Sequence, residues 1–219
     1  MQAKEQVTVT YSRKHVLCLG GGMSAFCAEN PSPNSLINDS ISPALLISAE
    51  QPLFEQERVH LLDCMPPGLI IRIEHFGSTA IVGLAAKPIV DMVIEVNDVA
   101  RARTIVPRIL EPQGYDSFWR PTLGDDTPPW YTWCIKRNAT GQRTHHLHFG
   151  EISFKTDELR FRDILREQSV VAAAYAELKL RLANEHNADR IAYTKAKGDF
   201  IQNILRQARG NARYDWQSV

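Results

Sequence analysis

This chain has no excess of charge of either sign. Its 219 residues carry 25 Lys and Arg against 25 Asp and Glu, a formal net charge of zero at pH 7. No global field draws it to nucleic acid or to an anionic membrane, so any phosphate it binds must be held by local groups. Cysteine is scarce: Cys18, Cys27, Cys64 and Cys134 are scattered, with no Cys-x-x-Cys pair. That spacing argues against a zinc knuckle or a disulfide framework and fits a reducing compartment, so a cytoplasmic location is expected. No apolar run approaches the ~20 residues that a membrane-spanning helix needs. No internal repeat is evident.

What is present is ordinary globular composition, 44% hydrophobic and 23% charged, enough for one good core. Residues 1–45 read as an N-terminal extension, partly disordered, because Asn30–Ser35 and Asn38–Pro43 are turn and linker chemistry. Arg13-Lys14-His15 and the apolar stretch to Ala28 imitate a signal peptide only loosely, since three glycines interrupt it. Leu17–Met23 has the look of a strand entering a glycine turn. Asn30-Pro31, however, cuts short the helix that a dinucleotide fingerprint requires. The folded domain is expected over residues 46–209, with a tail at 210–219.

Within that domain, residues 50–64 have roughly helical apolar spacing, with Pro52 tolerated in the first turn. Leu69–Phe76 reads as a strand. Ile89–Val96 reads as another, almost wholly apolar and so central in a sheet. Asn97-Asp98 caps a helix from Val99 to Leu110, bent at Pro107. Trp130–Lys136 and Thr144–Phe149 form an antiparallel hairpin around Asn138–Gly141. From Thr156 onward the pattern is helical, in three segments ending near Arg209. Strands first and helices last predict an α+β fold with a helical C-terminal subdomain.

Three groups of residues carry chemistry. Gly77-Ser78-Thr79 follows a strand; its glycine permits close backbone approach, and N–H groups and hydroxyls there favour an anion. Asp91 interrupts an apolar strand, where a carboxylate costs several kcal/mol unless it meets a metal, a cation or donors. Lys87, at the strand entrance, is positioned either to pair with Asp91 or to face the same anion. In Thr144–Phe149, His146 and His148 share one face about 6–7 Å apart, a spacing suited to a metal, with a third ligand from Asp91 or His75. The C-terminal helices are rich in paired charges. Arg162 and Arg166 lie four apart and can act as an anion clamp, and Tyr193, Lys195 and Lys197 form a second patch.

Together these residues resemble the GrpB family, a group within the nucleotidyltransferase superfamily. The resemblance lies in His-x-Gly-Ser-Thr-Ala-x-x-Gly-Leu-x-x-Lys-Pro-x-x-Asp from His75 to Asp91 and in His-Leu-His at 146–148. It continues in Phe-Arg-Asp-x-Leu-Arg at 161–166, Tyr-x-x-Leu-Lys at 175–179 and Tyr-Thr-x-x-Lys at 193–197. Phe-Glu-x-Glu-Arg at 54–58 fits the family's first helix. The resemblance implies a nucleotidyltransferase-like mixed sheet with flanking helices and a C-terminal helical extension; some relatives are fused to dephospho-coenzyme A kinase. In active nucleotidyltransferases a Gly-Ser turn holds the triphosphate. Two acids spaced Asp-x-Asp on the next strand bind paired magnesium ions, and a later strand supplies a third acid. Gly77, Ser78 and Asp91 match that pattern, whereas the second acid's place is taken by Val93. Glu95 shares the face of Asp91 but lies about 13 Å along the strand, too far to share a metal pair ~4 Å apart. The later strand offers His146 and His148, which suit a transition metal better than magnesium.

The expected function is a divergent nucleotidyltransferase. Gly77, Ser78 and Thr79 would cradle phosphates, and Lys87, Arg162 and Arg166 would neutralise them. Asp91 would hold a divalent metal, magnesium or a transition ion. His146 or His148 would complete its shell or act as general base, with His75 a further candidate ligand. The alternative is a non-catalytic nucleotide- or coenzyme A-binding module linked to coenzyme A metabolism. A third reading is a transition-metal hydrolase or sensor built on His75, Asp91, His146 and His148. The expected partner of the first two is a nucleotide or another phosphate-bearing small molecule.

Overall fold

The computed structural model describes residues 50–122, 128–151, 155–185 and 190–210. The expected extension over residues 1–45 and the expected tail at 210–219, apart from Gly210 at the end of the last helix, lie outside the described residues. The element order is α1 (Glu50–Cys64), β1 (Ile70–Phe76), β2 (Val90–Val96), α2 (Val99–Leu110), β3 (Asp116–Pro121), β4 (Trp130–Arg137), β5 (Arg143–Gly150), α3 (Thr156–Glu167), α4 (Ser169–Glu185) and α5 (Arg190–Gly210). This is an α+β fold with a five-stranded mixed sheet and flanking helices. No helix among the described residues is long and apolar enough to cross a membrane.

The strands lie in the order β1-β2-β5-β4-β3. β2 runs parallel to β5, and the other neighbours are antiparallel. The apolar β2 and the histidine-bearing β5 are therefore adjacent inner strands, and their register sets Asp91 opposite His146 and Val93 opposite His148. Edge strand β3 is not anticipated by the sequence pattern. Its residues are all half-buried, so it has no clean apolar alternation to read.

The two faces of the sheet are packed differently. On the first, Val90, Met92, Ile94, Cys134, Leu147 and Phe149 meet Phe54 and Leu61 of α1 and Ala102, Val106 and Leu110 of α2. The α2 residues recur every four positions, the spacing of one helical face. Each fully buried large side chain here contributes roughly 1.5–3 kcal/mol. Asp98 caps α2 by accepting from the Arg101 N–H at 2.8 Å, and the helix runs through Pro107 to Leu110. The second face carries an aromatic cluster of Phe76, Tyr131 and Trp133 with Val93 and Ile135.

A separate core joins the C-terminal helices to the loop after β1. Ile81 and Leu84 pack with Phe161, Ile164, Leu165, Tyr175, Leu205 and Ala208. That core holds α3, α4 and α5 against the chain between Gly77 and Asp91, which is where the candidate residues lie.

Candidate phosphate site at the Gly77–Ser78 turn

The turn is built on Gly77, whose φ of 73° and ψ of −170° fall in a region almost restricted to glycine. A Cβ there would also lie 2.6 Å from Asp91 Oδ2 and 3.2 Å from Asp91 Cβ and Cγ. The Asp91 carboxylate thus lies directly against the turn backbone. Its other oxygen, Oδ1, is 3.0 Å from His146 Nδ1. With the carboxylate ionised, His146 donates from Nδ1, which leaves Nε2 buried and without a partner.

After Gly77 the chain forms one 3-10 turn, Ser78–Ala80. The N–H groups expected to favour an anion therefore belong to a single turn. Its two hydroxyls have different roles. Thr79 Oγ1 donates to the Ile89 carbonyl at 3.1 Å and lies 3.0 Å from His75 Nε2, so it ties the loop to β1. Ser78 Oγ instead accepts from Lys179 Nζ at 3.0 Å. The same ammonium donates to the Ala85 carbonyl at 2.5 Å and sits 5.1 Å from the centre of the Tyr175 ring.

The family with the description GrpB protein matches residues 49–207. The chain belongs to the GrpB family. It is similar to a UPF0157 protein from Pseudomonas aeruginosa, with 37% identity over 149 residues covering 68% of this chain and 59% of that protein. The match thus spans less than two thirds of the Pseudomonas relative. The glutamate-rich protein GrpB of Alkalihalophilus pseudofirmus is 31% identical over 157 residues, covering 71% of this chain and 88% of that one. The crystal structure of conserved protein GrpB from Enterococcus faecalis superposes with a TM-score of 0.58 at 25% identity, covering 73% of this chain and 97% of that chain. A structure of terminal uridylyl transferase 4 from Trypanosoma brucei with bound CTP matches more loosely. Its TM-score is 0.44 at 16% identity, covering 82% of this chain and 58% of that chain, a likeness too loose to support any assignment.

In this GrpB-family chain the expected site residues separate into those that meet and those that do not. Gly77, Asp91 and His146 are brought together. His148 shares their face but is enclosed: its ring stacks 5.4 Å from Tyr131 and meets Phe76 edge-on at 5.3 Å. Burial holds it well below the ordinary histidine range and keeps it neutral. His75 does not join them. It pairs across the strands with Met92, on the opposite face from Asp91, and stacks 4.9 Å from Phe54. Burial lowers its pKa to about 4. The four-residue metal shell is therefore corrected: among the described residues no three His, Cys, Asp or Glu side chains converge on one point.

The two arginines of the expected clamp already have protein partners. Arg162 Nη1 donates to Glu74 Oε2 at 2.7 Å and to the His75 carbonyl at 2.8 Å, and its Nε donates to Asp163 at 2.7 Å. Arg166 donates from Nε and Nη2 to the Ala80 carbonyl at 3.1 and 3.0 Å. Their spacing does place both on one face, but they fasten α3 to β1 and to the turn. Lys87 has an interaction of its own. In the second patch Lys197 Nζ lies 4.4 Å from the Tyr193 ring.

A two-metal centre does not suit this donor set. Val93 stands between Asp91 and Glu95, and Glu95 Oε2 is taken by Arg72 Nε at 3.0 Å. Glu74, across the strands from Val93, is the partner of Arg162. Asp91 is the carboxylate left at the turn, and one acid together with a ligand's phosphates is enough for a single hard cation.

Sequence reasoning did not single out Lys179 as a site residue. It had a signal: Tyr175 and Leu182, four before and three after it, are both buried, so this lysine lies on the apolar stripe of its helix.

Proposed function

We propose that this GrpB-family chain binds a nucleoside triphosphate, or another ligand carrying a phosphoanhydride, at the Gly77–Ser78 turn beside Asp91. The observation that carries this reading is the contact at Gly77, where the missing Cβ lets a partly exposed carboxylate lie against a Gly-Ser turn. A ligand at Ser78 is then within reach of Asp91 and of His146 behind it. In this reading Ser78 would meet the phosphate, whereas Thr79 ties the loop to β1.

Binding without transfer is favoured because the second acid is absent. A coenzyme A-type ligand fits the same reading through its phosphates. The transferase reading needs one divalent ion, magnesium or a transition metal, on Asp91 and the ligand's phosphates. When bound, such an ion would polarise the phosphoryl oxygens. Asp91 would hold it, and His146 would position Asp91 by donating from Nδ1 to Oδ1, its own Nε2 being buried.

The test is isothermal titration of wild type and Asp91→Ala with ATP, GTP, CTP, UTP and coenzyme A, each with and without magnesium. Binding of any of these, competed by a second phosphate ligand, supports the site. Magnesium-dependent triphosphate binding lost in the variant favours transfer. No binding in any condition overturns the reading.

A further inference from the structure

Lys179 is an unusual buried cation. It is 6% exposed, yet its ammonium meets only neutral oxygens, Ser78 Oγ and the Ala85 carbonyl. No carboxylate among the described residues pairs with it. Other cations of the fold are paired: Arg162 has Glu74 and Asp163, Arg72 has Glu95, and Lys136 has Glu57. A buried charge without a counter-ion is costly, and the cost is recovered when an anion arrives. Burial first, and then the charge of Lys197, lower its pKa to about 8, and no acid among the described residues raises it. Ser78 Oγ accepts from Lys179, so its own O–H proton is left to donate to a ligand.

We infer that Lys179, acting through Ser78, is the counter-ion of the bound phosphate, and that phosphate binding at this turn needs no metal ion. The inference rests on the reading that the turn is a phosphate site, and it names what neutralises the charge there. The lysine stands one hydroxyl away from the ligand, so the ligand's anion completes a charge-assisted chain from Lys179 through Ser78.

The test uses the full chain, with tripolyphosphate and ATP as probes, titrated in EDTA and again with excess magnesium. Wild type is expected to bind both probes in EDTA, with magnesium changing Kd by less than about 3-fold. Lys179→Met and Ser78→Ala are each expected to weaken metal-free binding by about 10- to 100-fold. The double variant should lose little more than either single one, because the two groups act as a unit. Should Lys179→Met fail to fold, Ser78→Ala carries the same comparison. Binding seen only with magnesium, or metal-free binding unchanged in both variants, overturns the inference and leaves the phosphate site standing. Absence of binding under both conditions removes the site itself.

Discussion

Glu57 on α1 and Lys179 on α4 are both deeply buried charges, and their surroundings differ in kind. Glu57 accepts from the Tyr115 hydroxyl at 2.6 Å on one oxygen and from Lys136 Nζ on the other. Lys136 also lies 5.3 Å from the Tyr115 ring. Charge, donors and acceptors there are matched within the protein. At Lys179 the hydrogen bonds are made, but no carboxylate among the described residues supplies the opposite charge. A closed ion site needs nothing from outside and serves stability, whereas an open one holds unspent attraction for an anion. The two sites should therefore respond oppositely to removal of the charge.

Glu57→Ala gives the largest expected effect on stability. It leaves the buried Tyr115 hydroxyl unpaired and frees Lys136, at an expected cost of about 3 kcal/mol, read from the urea midpoint. Ligand binding by the folded fraction should be unchanged. If the loss were below about 1 kcal/mol, the network would not be the closed structural site described.

Gly77→Ala comes next, because it strikes the open site through its backbone. The positive φ and the 2.6 Å approach to Asp91 Oδ2 together predict a loss of about 2–3 kcal/mol. Adding Asp91→Ala removes the Oδ2 contact but not the strained dihedral, so about 1 kcal/mol should return in a double-mutant cycle. Additivity between the two would mean that the carboxylate does not lie on the turn.

The closed site and the open site were not equally legible in the sequence. Strands β1, β2, β4 and β5 follow from their apolar runs, and the helices from their spacing, to within a residue or two at the ends. Gly77, Ser78 and Asp91 were readable because glycine before serine at a strand end marks a tight turn, and a lone acid in an apolar strand demands a partner. The face of His75 was not readable, since it depends on the β1–β2 register that pairs it with Met92. Arg162 and Arg166 were correctly placed on one face, but spacing says nothing about their acceptors, which apart from Asp163 are distant in sequence. Lys179 stood in the Tyr-x-x-Leu-Lys motif at 175–179, but among many helical charges neither the motif nor the apolar residues on its face said that it would be buried without a counter-ion.

A smaller effect separates the two faces by pH. His75, with its pKa lowered to about 4, and His145 and His148, also lowered, stay neutral in the fold because burial disfavours their charged forms. The unfolded chain protonates them near 6.5. As pH falls from about 6.5 towards 4, the unfolded state binds a proton at position 75 that the folded one does not, and stability falls by up to about 1.4 kcal/mol per pH unit from His75, with His145 and His148 acting in the same direction. His75→Phe keeps a ring against Phe54 and removes one such proton. Its stability curve should be flatter by about that amount, and an unchanged slope would contradict the neutral, buried placement of His75.

The finest distinction is at the alkaline end, and it concerns Lys179 alone. A lysine whose folded pKa is lowered to about 8 is penalised while charged, and the penalty disappears as the folded protein releases its proton. Between pH 8 and about 10.5 the unfolded chain holds more protons than the folded one, so this group makes stability rise with pH. The groups that face it are the Lys197 ammonium of α5 and the Tyr175 ring of α4; neither supplies negative charge in this window, since burial holds the Tyr175 hydroxyl well above its usual value. The difference in stability between wild type and Lys179→Met, measured by urea denaturation from pH 7 to 10, should shift towards wild type above pH 8. A saturating phosphate ligand should abolish that shift, because the anion stabilises the charged lysine and raises its pKa. A difference that is flat with pH, with or without ligand, would mean that Lys179 already has a counter-ion, and the contrast with Glu57 would fail.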